Sequence, residues 1–138
     1  MMNRFNLIKP DLHGVLDYAA AAGLIALPFL LDLQSQSILA HWLSIIGGLG
    51  LILYSLFTDY LLGLKGVFSF RAHLRLDLAA AALFLLAPFI FGFQGIVTGY
   101  YLVMGAGVII VVALSQRGDI ANPLPADQKR SKPVSDTR

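Results

Sequence analysis

One string of residues occurs twice in this chain, and it constrains the fold more than anything else. His13 to Phe29 reads HGVLDYAAAAGLIALPF, and His73 to Phe89 reads HLRLDLAAAALFLLAPF. At an offset of 60 residues, His13 falls on His73, Leu16 on Leu76, Asp17 on Asp77, Ala19–Ala22 on Ala79–Ala82, Pro28 on Pro88 and Phe29 on Phe89, nine identities in seventeen positions without a gap. The register continues further on, with Gln34 on Gln94, Gly47 on Gly107, Ser55 on Ser115 and Asp59 on Asp119. The repeating unit is therefore longer than one helix.

Each copy is too apolar for a water-facing helix, because long stretches have no polar face. The whole chain is 57% hydrophobic and 13% charged, against about 25% charged in soluble proteins. The surroundings implied are a lipid bilayer. The net charge of +2 is spread thinly between apolar blocks, which argues for topology signals and against nucleic acid. With no cysteine, disulfides, thiolate metal sites, iron–sulfur clusters and c-type haem are excluded.

The pattern predicts an all-α fold, a four-span bundle. Residues 1–12 form a cytoplasmic lead-in with Arg4 and Lys9, and Lys9-Pro10-Asp11 opens the first helix, with Asp11 as its cap. Cleavage as a signal peptide is not expected, because no small-residue cleavage site follows and the second copy lies mid-chain. The first span is placed at about 13–33. Its uncharged run, Tyr18 to Leu31, covers only about 21 Å of an apolar layer about 30 Å thick. The flanks must be used, which draws Asp17 to the membrane boundary or slightly inside it. After the polar link 32–37, a second span covers 38–62, with Trp42, Tyr54, Phe57 and Tyr60 as interfacial aromatics. A cytoplasmic loop occupies 63–72. A third span follows at 73–93 and a fourth at 96–116, with Tyr100 and Tyr101 at its start. Residues 117–138 read as a disordered cytoplasmic tail. The two helix-pair repeats are thus 13–62 and 73–116. Gly47, Gly48, Gly50, Gly105 and Gly107 are expected to serve close helix packing.

The ten Lys and Arg residues fall in three places: Arg4 and Lys9; Lys65, Arg71 and Arg75; and Arg117, Lys129, Arg130, Lys132 and Arg138. None lies in the other two links. By the positive-inside rule, both termini and the middle loop are cytoplasmic and the protein is a multi-pass protein of the cytoplasmic membrane. Each unit holds an even number of spans, so both enter from the same side and form parallel repeats about a pseudo-twofold axis along the membrane normal.

The HGVLDY opening, LYSLFTDYLLGL at 53–64 and HLRLDLAAAALFLLAPFIFGF at 73–93 resemble a family of small bacterial and archaeal membrane proteins named for a Ser-Pro-Trp (SPW) repeat. The family's tripeptide corresponds to Leu27-Pro28-Phe29 and Ala87-Pro88-Phe89. Neither copy has the Ser, and Phe stands in place of Trp. The resemblance covers about residues 13–116. It implies a multi-span membrane protein of helix-pair repeats and no particular reaction.

The chemistry-bearing residues are the His-x-x-x-Asp pairs, His13/Asp17 and His73/Asp77. Residues four apart share a helix face, so each His reaches its own Asp. Facing inward, two imidazoles and two carboxylates would converge and could ligate a metal, relay protons or hold a polar headgroup. Facing outward, they are caps and dipole partners at the interface. Asp59 and Asp119 either enlarge that cluster or are solvated loop acids. Pro28 and Pro88 each remove one helical hydrogen bond, as a hinge between half-helices or as a bend before the outer link. His41, beside Trp42, is expected as an outer-interface anchor.

No nucleotide-binding, zinc-protease or nucleophile-elbow motif is found. The expectation is a non-enzymatic protein without a cofactor, structural or accessory in the membrane. Its partners would be lipid and either further copies of the chain or other membrane proteins, with no nucleic acid. The alternatives are a small oligomeric transporter or channel using the His/Asp cluster, and a metal- or quinone-linked enzyme subunit.

Overall fold

The computed structural model describes residues 8–59, 63, 64 and 66–120. Among the described residues there are five helices: α1 (Pro10–Leu30), α2 (Leu33–Gln36), α3 (Ile38–Leu56), α4 (Phe70–Phe91) and α5 (Gly95–Ile120). Four of them are long and apolar enough to cross a membrane, α5 through its Gly95–Ser115 portion. The 21 residues of α1 span about 31 Å, which matches the apolar layer.

Local chemistry sets the helix limits. α1 starts with Pro10 in its first turn, where the missing N–H costs nothing. Lys9 is its N-cap residue and makes no side-chain cap hydrogen bond, and Asp11 lies in the first turn, where a negative charge favours the helix dipole. Ser37 and Ser69 do cap, accepting from the backbone N–H of Ala40 and Ala72 at the starts of α3 and α4. Because Ser69 opens α4, His73 lies within the helix and not at its first residue. α4 ends on Gly92, whose φ of 68° suits glycine. α1 ends at Leu30, before Asp32 turns left-handed (φ 48°) to start the short α2.

Several boundaries differ from those read from sequence. α3 stops at Leu56, where the chain folds back so that the Phe57 carbonyl accepts from Val67 and Phe68. Tyr60 and Lys65 lie outside the described residues. α5 continues through Arg117 to Ile120. That portion of the expected tail is helical, and 121–138 lie outside the described residues. α1 and α4 run unbroken through the buried Pro28 and Pro88 and end two or three residues later, so neither proline divides its helix in two.

α1 packs chiefly on α3 and α4 on α5, while α1 meets α5 and α3 meets α4 more narrowly. Two glycines make the close approaches. A Cβ on Gly48 would sit 2.9 Å from the Ala21 carbonyl oxygen, and one on Gly105 would sit 2.8 Å from Leu85 and 3.1 Å from the Ala81 carbonyl oxygen. Gly47 lies against the Phe84 ring, 3.2 Å from such a Cβ. Gly50 and Gly107 have nothing within 4 Å and line a cavity, so they do not serve the packing expected of them. They sit on the helix face that looks between the pairs.

The core holds Ala21, Leu24, Leu51, Phe84, Val97 and Tyr101, with Phe84 and Tyr101 stacked at 4.8 Å. Large apolar side chains also point outward, including Phe29 (61% exposed) and Phe89 (74%). Such a surface suits lipid and not water.

Candidate functional site

The two His-x-x-x-Asp motifs converge. His13 and Asp17 on α1 meet His73 and Asp77 on α4, and all four are buried. The histidines are fully enclosed, and Asp17 and Asp77 are 6% and 3% exposed. They are neither headgroup-facing nor helix caps. One donor atom from each residue lies within 4.8 Å of the other three.

Each imidazole touches both carboxylates. His13 Nε2 lies 3.0 Å from Asp77 Oδ2 and 3.3 Å from Asp17 Oδ1. His73 Nε2 lies 2.9 Å from Asp17 Oδ2 and 3.3 Å from Asp77 Oδ2. The shorter contact of each histidine is therefore to the other motif's aspartate, and the cluster joins the two copies. Tyr54, from α3, donates to Asp77 Oδ1 at 2.6 Å. Phe70 closes one side, edge-on to His13 at 5.3 Å and stacked on His73 at 6.4 Å.

The outer ring nitrogens are fixed by hydroxyls. His13 Nδ1 lies 2.8 Å from Ser115 Oγ, and His73 Nδ1 lies 2.8 Å from Thr58 Oγ1. Each hydroxyl has only one hydrogen, and each gives it to the carbonyl four residues back. Ser115 donates to Val111 at 2.8 Å and Thr58 to Tyr54 at 2.7 Å. Both oxygens must then accept from the imidazoles, so both histidines carry hydrogen on Nδ1. This leaves two Nε2 atoms facing carboxylate oxygens. A bare nitrogen lone pair aimed at a carboxylate is repulsive, so a hydrogen or a metal ion has to lie between them.

The surroundings are not symmetric. Ser55, sixty residues before Ser115, is buried with its Oγ unpartnered among the described residues, while Thr58 takes the role at His73. Asp59 is exposed in the turn after α3, with its carboxyl beside Gly66, and stands outside the cluster. The side chain of Asp119 lies outside the described residues.

A cavity of about 580 Å³ lies between the helix pairs, bounded by Leu24, Gly47, Gly50, Phe84 and Gly107, and it reaches Asp17, Tyr54 and Asp77 at one end. A second polar group lies elsewhere in the bundle. Ser44 donates to the Leu24 carbonyl and accepts from Tyr100, and Tyr101 donates to the Ala40 carbonyl at 2.6 Å. His41 is buried against Phe29 and Trp42 with its Nδ1 unpartnered among the described residues. The expected outer-interface anchor is thus a buried side chain, whereas Trp42 beside it is half exposed.

Sequence reasoning named the four cluster residues but missed Tyr54, Thr58 and Ser115 as their partners. For Ser115 a signal existed, since it recurs at the 60-residue offset. Tyr54 read as an interfacial aromatic, and Thr58 carried no pattern.

Comparison with family models, with curated proteins and with solved structures gives no match for this chain.

Proposed function

We propose that this chain is a non-enzymatic integral membrane protein of the SPW-repeat type, structural or accessory in the cytoplasmic membrane. Its two parallel helix pairs are joined by a buried His/Asp cluster. The single observation that carries the reading is the exchange of partners between the motifs: each histidine makes its shorter contact with the other copy's aspartate. Such an exchange suits a joint between halves, because each histidine is held by both aspartates and each aspartate by both histidines. The contributing positions, early in α1 and α4, late in α3 or just past its end, and late in α5, support the parallel arrangement. The lysine and arginine distribution supports cytoplasmic termini.

The cavity favours one competing reading, a small transporter with Asp17 and Asp77 at its floor. Against it, the other walls of the cavity are apolar, and the polar groups of Ser44, Tyr100 and Tyr101 are spent on one another and on backbone carbonyls. An accessory role implies association with further copies of the chain or with other membrane proteins. The test is reconstitution of the purified chain in proteoliposomes beside cross-linking in native membranes. The expected result is no ion or proton flux above protein-free vesicles, together with a discrete cross-linked assembly. Flux abolished by Asp17→Asn with Asp77→Asn, or a solitary monomer in native membranes, would contradict the reading.

A further inference from the structure

We propose that the His13–Asp17–His73–Asp77 cluster is a four-ligand site for a divalent transition-metal ion, with Zn²⁺ the best fit. This deepens the joint described above and rests on it. Three independent features of the cluster lead there.

The first is tautomer. Ser115 and Thr58 hold hydrogen on the Nδ1 atoms and so present both Nε2 atoms inward as donors. Metal-bound histidines are held in the same way, with the far N–H given to an oxygen that fixes the ring.

The second is size. Zinc–nitrogen and zinc–carboxylate distances of about 2.0–2.2 Å place tetrahedral ligands roughly 3.3–3.5 Å apart. The four nitrogen–oxygen contacts here are 3.0, 3.3, 2.9 and 3.3 Å. These contacts lie near that spacing, while the widest separation in the set of one donor atom per residue, up to 4.8 Å, has to close by about 1 Å around the ion, an adjustment of the aspartate side chains.

The third is charge. Two carboxylates in apolar surroundings are costly unless compensated. One doubly charged ion neutralises both, and Phe70 shields the imidazoles on one side. Two imidazoles and two carboxylates suit zinc or a neighbouring first-row ion and not a soft monovalent ion. With four protein donors and no thiolate, the site has the closed form of structural zinc. It would pin the two halves together.

The experiment uses the full chain in detergent, stripped with a chelator and titrated with Co²⁺ as the optical probe, then with Zn²⁺ as competitor. The expected result is one Co²⁺ per chain with the intense visible bands of tetrahedral cobalt, displaced by Zn²⁺. His13→Ala and Asp77→Asn should abolish binding. Ser115→Ala, which keeps all four ligands, should weaken it about 10- to 100-fold. Asp59→Asn should leave it unchanged.

If the ligand variants fail to fold, the wild type and Ser115→Ala still decide. A helical, monodisperse wild type without saturable Co²⁺ binding overturns the proposal. So does a six-coordinate cobalt spectrum, unchanged affinity in Ser115→Ala, or binding that survives in folded His13→Ala. The energetic coupling of His13 to Asp77 in chelator-stripped protein reads the joint by itself. Coupling without Co²⁺ binding removes the metal and leaves the joint; no coupling removes the joint.

Discussion

Asp77 accepts from Tyr54 on one oxygen and faces both imidazoles with the other. Removing its charge leaves buried groups uncompensated, a change that costs about 3–5 kcal/mol in buried pairs. Asp77→Asn is therefore expected to lower the stability of the purified protein by that order, read from equilibrium unfolding in mixed micelles. Tyr54→Phe removes one hydrogen bond to a charged group and should cost about 1.5–3 kcal/mol in the same assay. Much of this site was legible in the sequence, because the four-residue spacing of His and Asp puts them on one helix face and the repeat doubles the pair. The inward direction was not legible, because the long apolar run that follows each pair gives no polar face to orient the helix. Thr58 and Ser115 were hidden for another reason. A hydroxyl that bonds the carbonyl four residues back fits inside a helix or its end and leaves no trace in periodicity.

Between elements, glycines with the same sequence signature do opposite things. Gly48 lets α3 approach the Ala21 carbonyl, whereas Gly50, two residues on, faces open space. Gly48→Ala forces a Cβ to 2.9 Å from that oxygen and should cost about 1–3 kcal/mol, as overpacking does. Gly50→Ala should be neutral or stabilise by up to about 1 kcal/mol through helix propensity. The pair of variants, compared by thermal unfolding, separates packing from a mere tolerance of glycine. Helix ends were the least legible part of the fold. α4 starts at Phe70 because Ser69 caps it, yet Arg71 and Arg75 push a hydropathy reading inward to His73. α3 ends at Leu56 because the turn after it takes up the Phe57 carbonyl, a backbone event with no apolar or charged marker.

For the whole molecule, four long apolar helices were legible because lipid offers no partner to an unpaired backbone group, so apolar length alone selects helices. How the two pairs face each other was not, since lipid-facing and partner-facing surfaces are equally apolar. Orientation is testable because the chain has no cysteine of its own. The proposed cytoplasmic placement of both termini predicts that Cys introduced at exposed Ser35 or Gln94 reacts with an impermeant maleimide from the outer side only. Cys at exposed Val67 should react only after the inner side is opened. The reverse pattern would invert the topology.

The two motifs meet at the His/Asp cluster, and a double-mutant cycle between His13→Ala and Asp77→Asn measures that contact. These residues are 64 positions apart in sequence, and their side chains lie 3.0 Å apart across the two motifs. Unfolding free energies of the wild type, both single variants and the double variant, measured in micelles, should give a coupling between about 0.5 and 3 kcal/mol, as for residues in direct contact. Additivity within about 0.3 kcal/mol, the behaviour of distant sites, would contradict it.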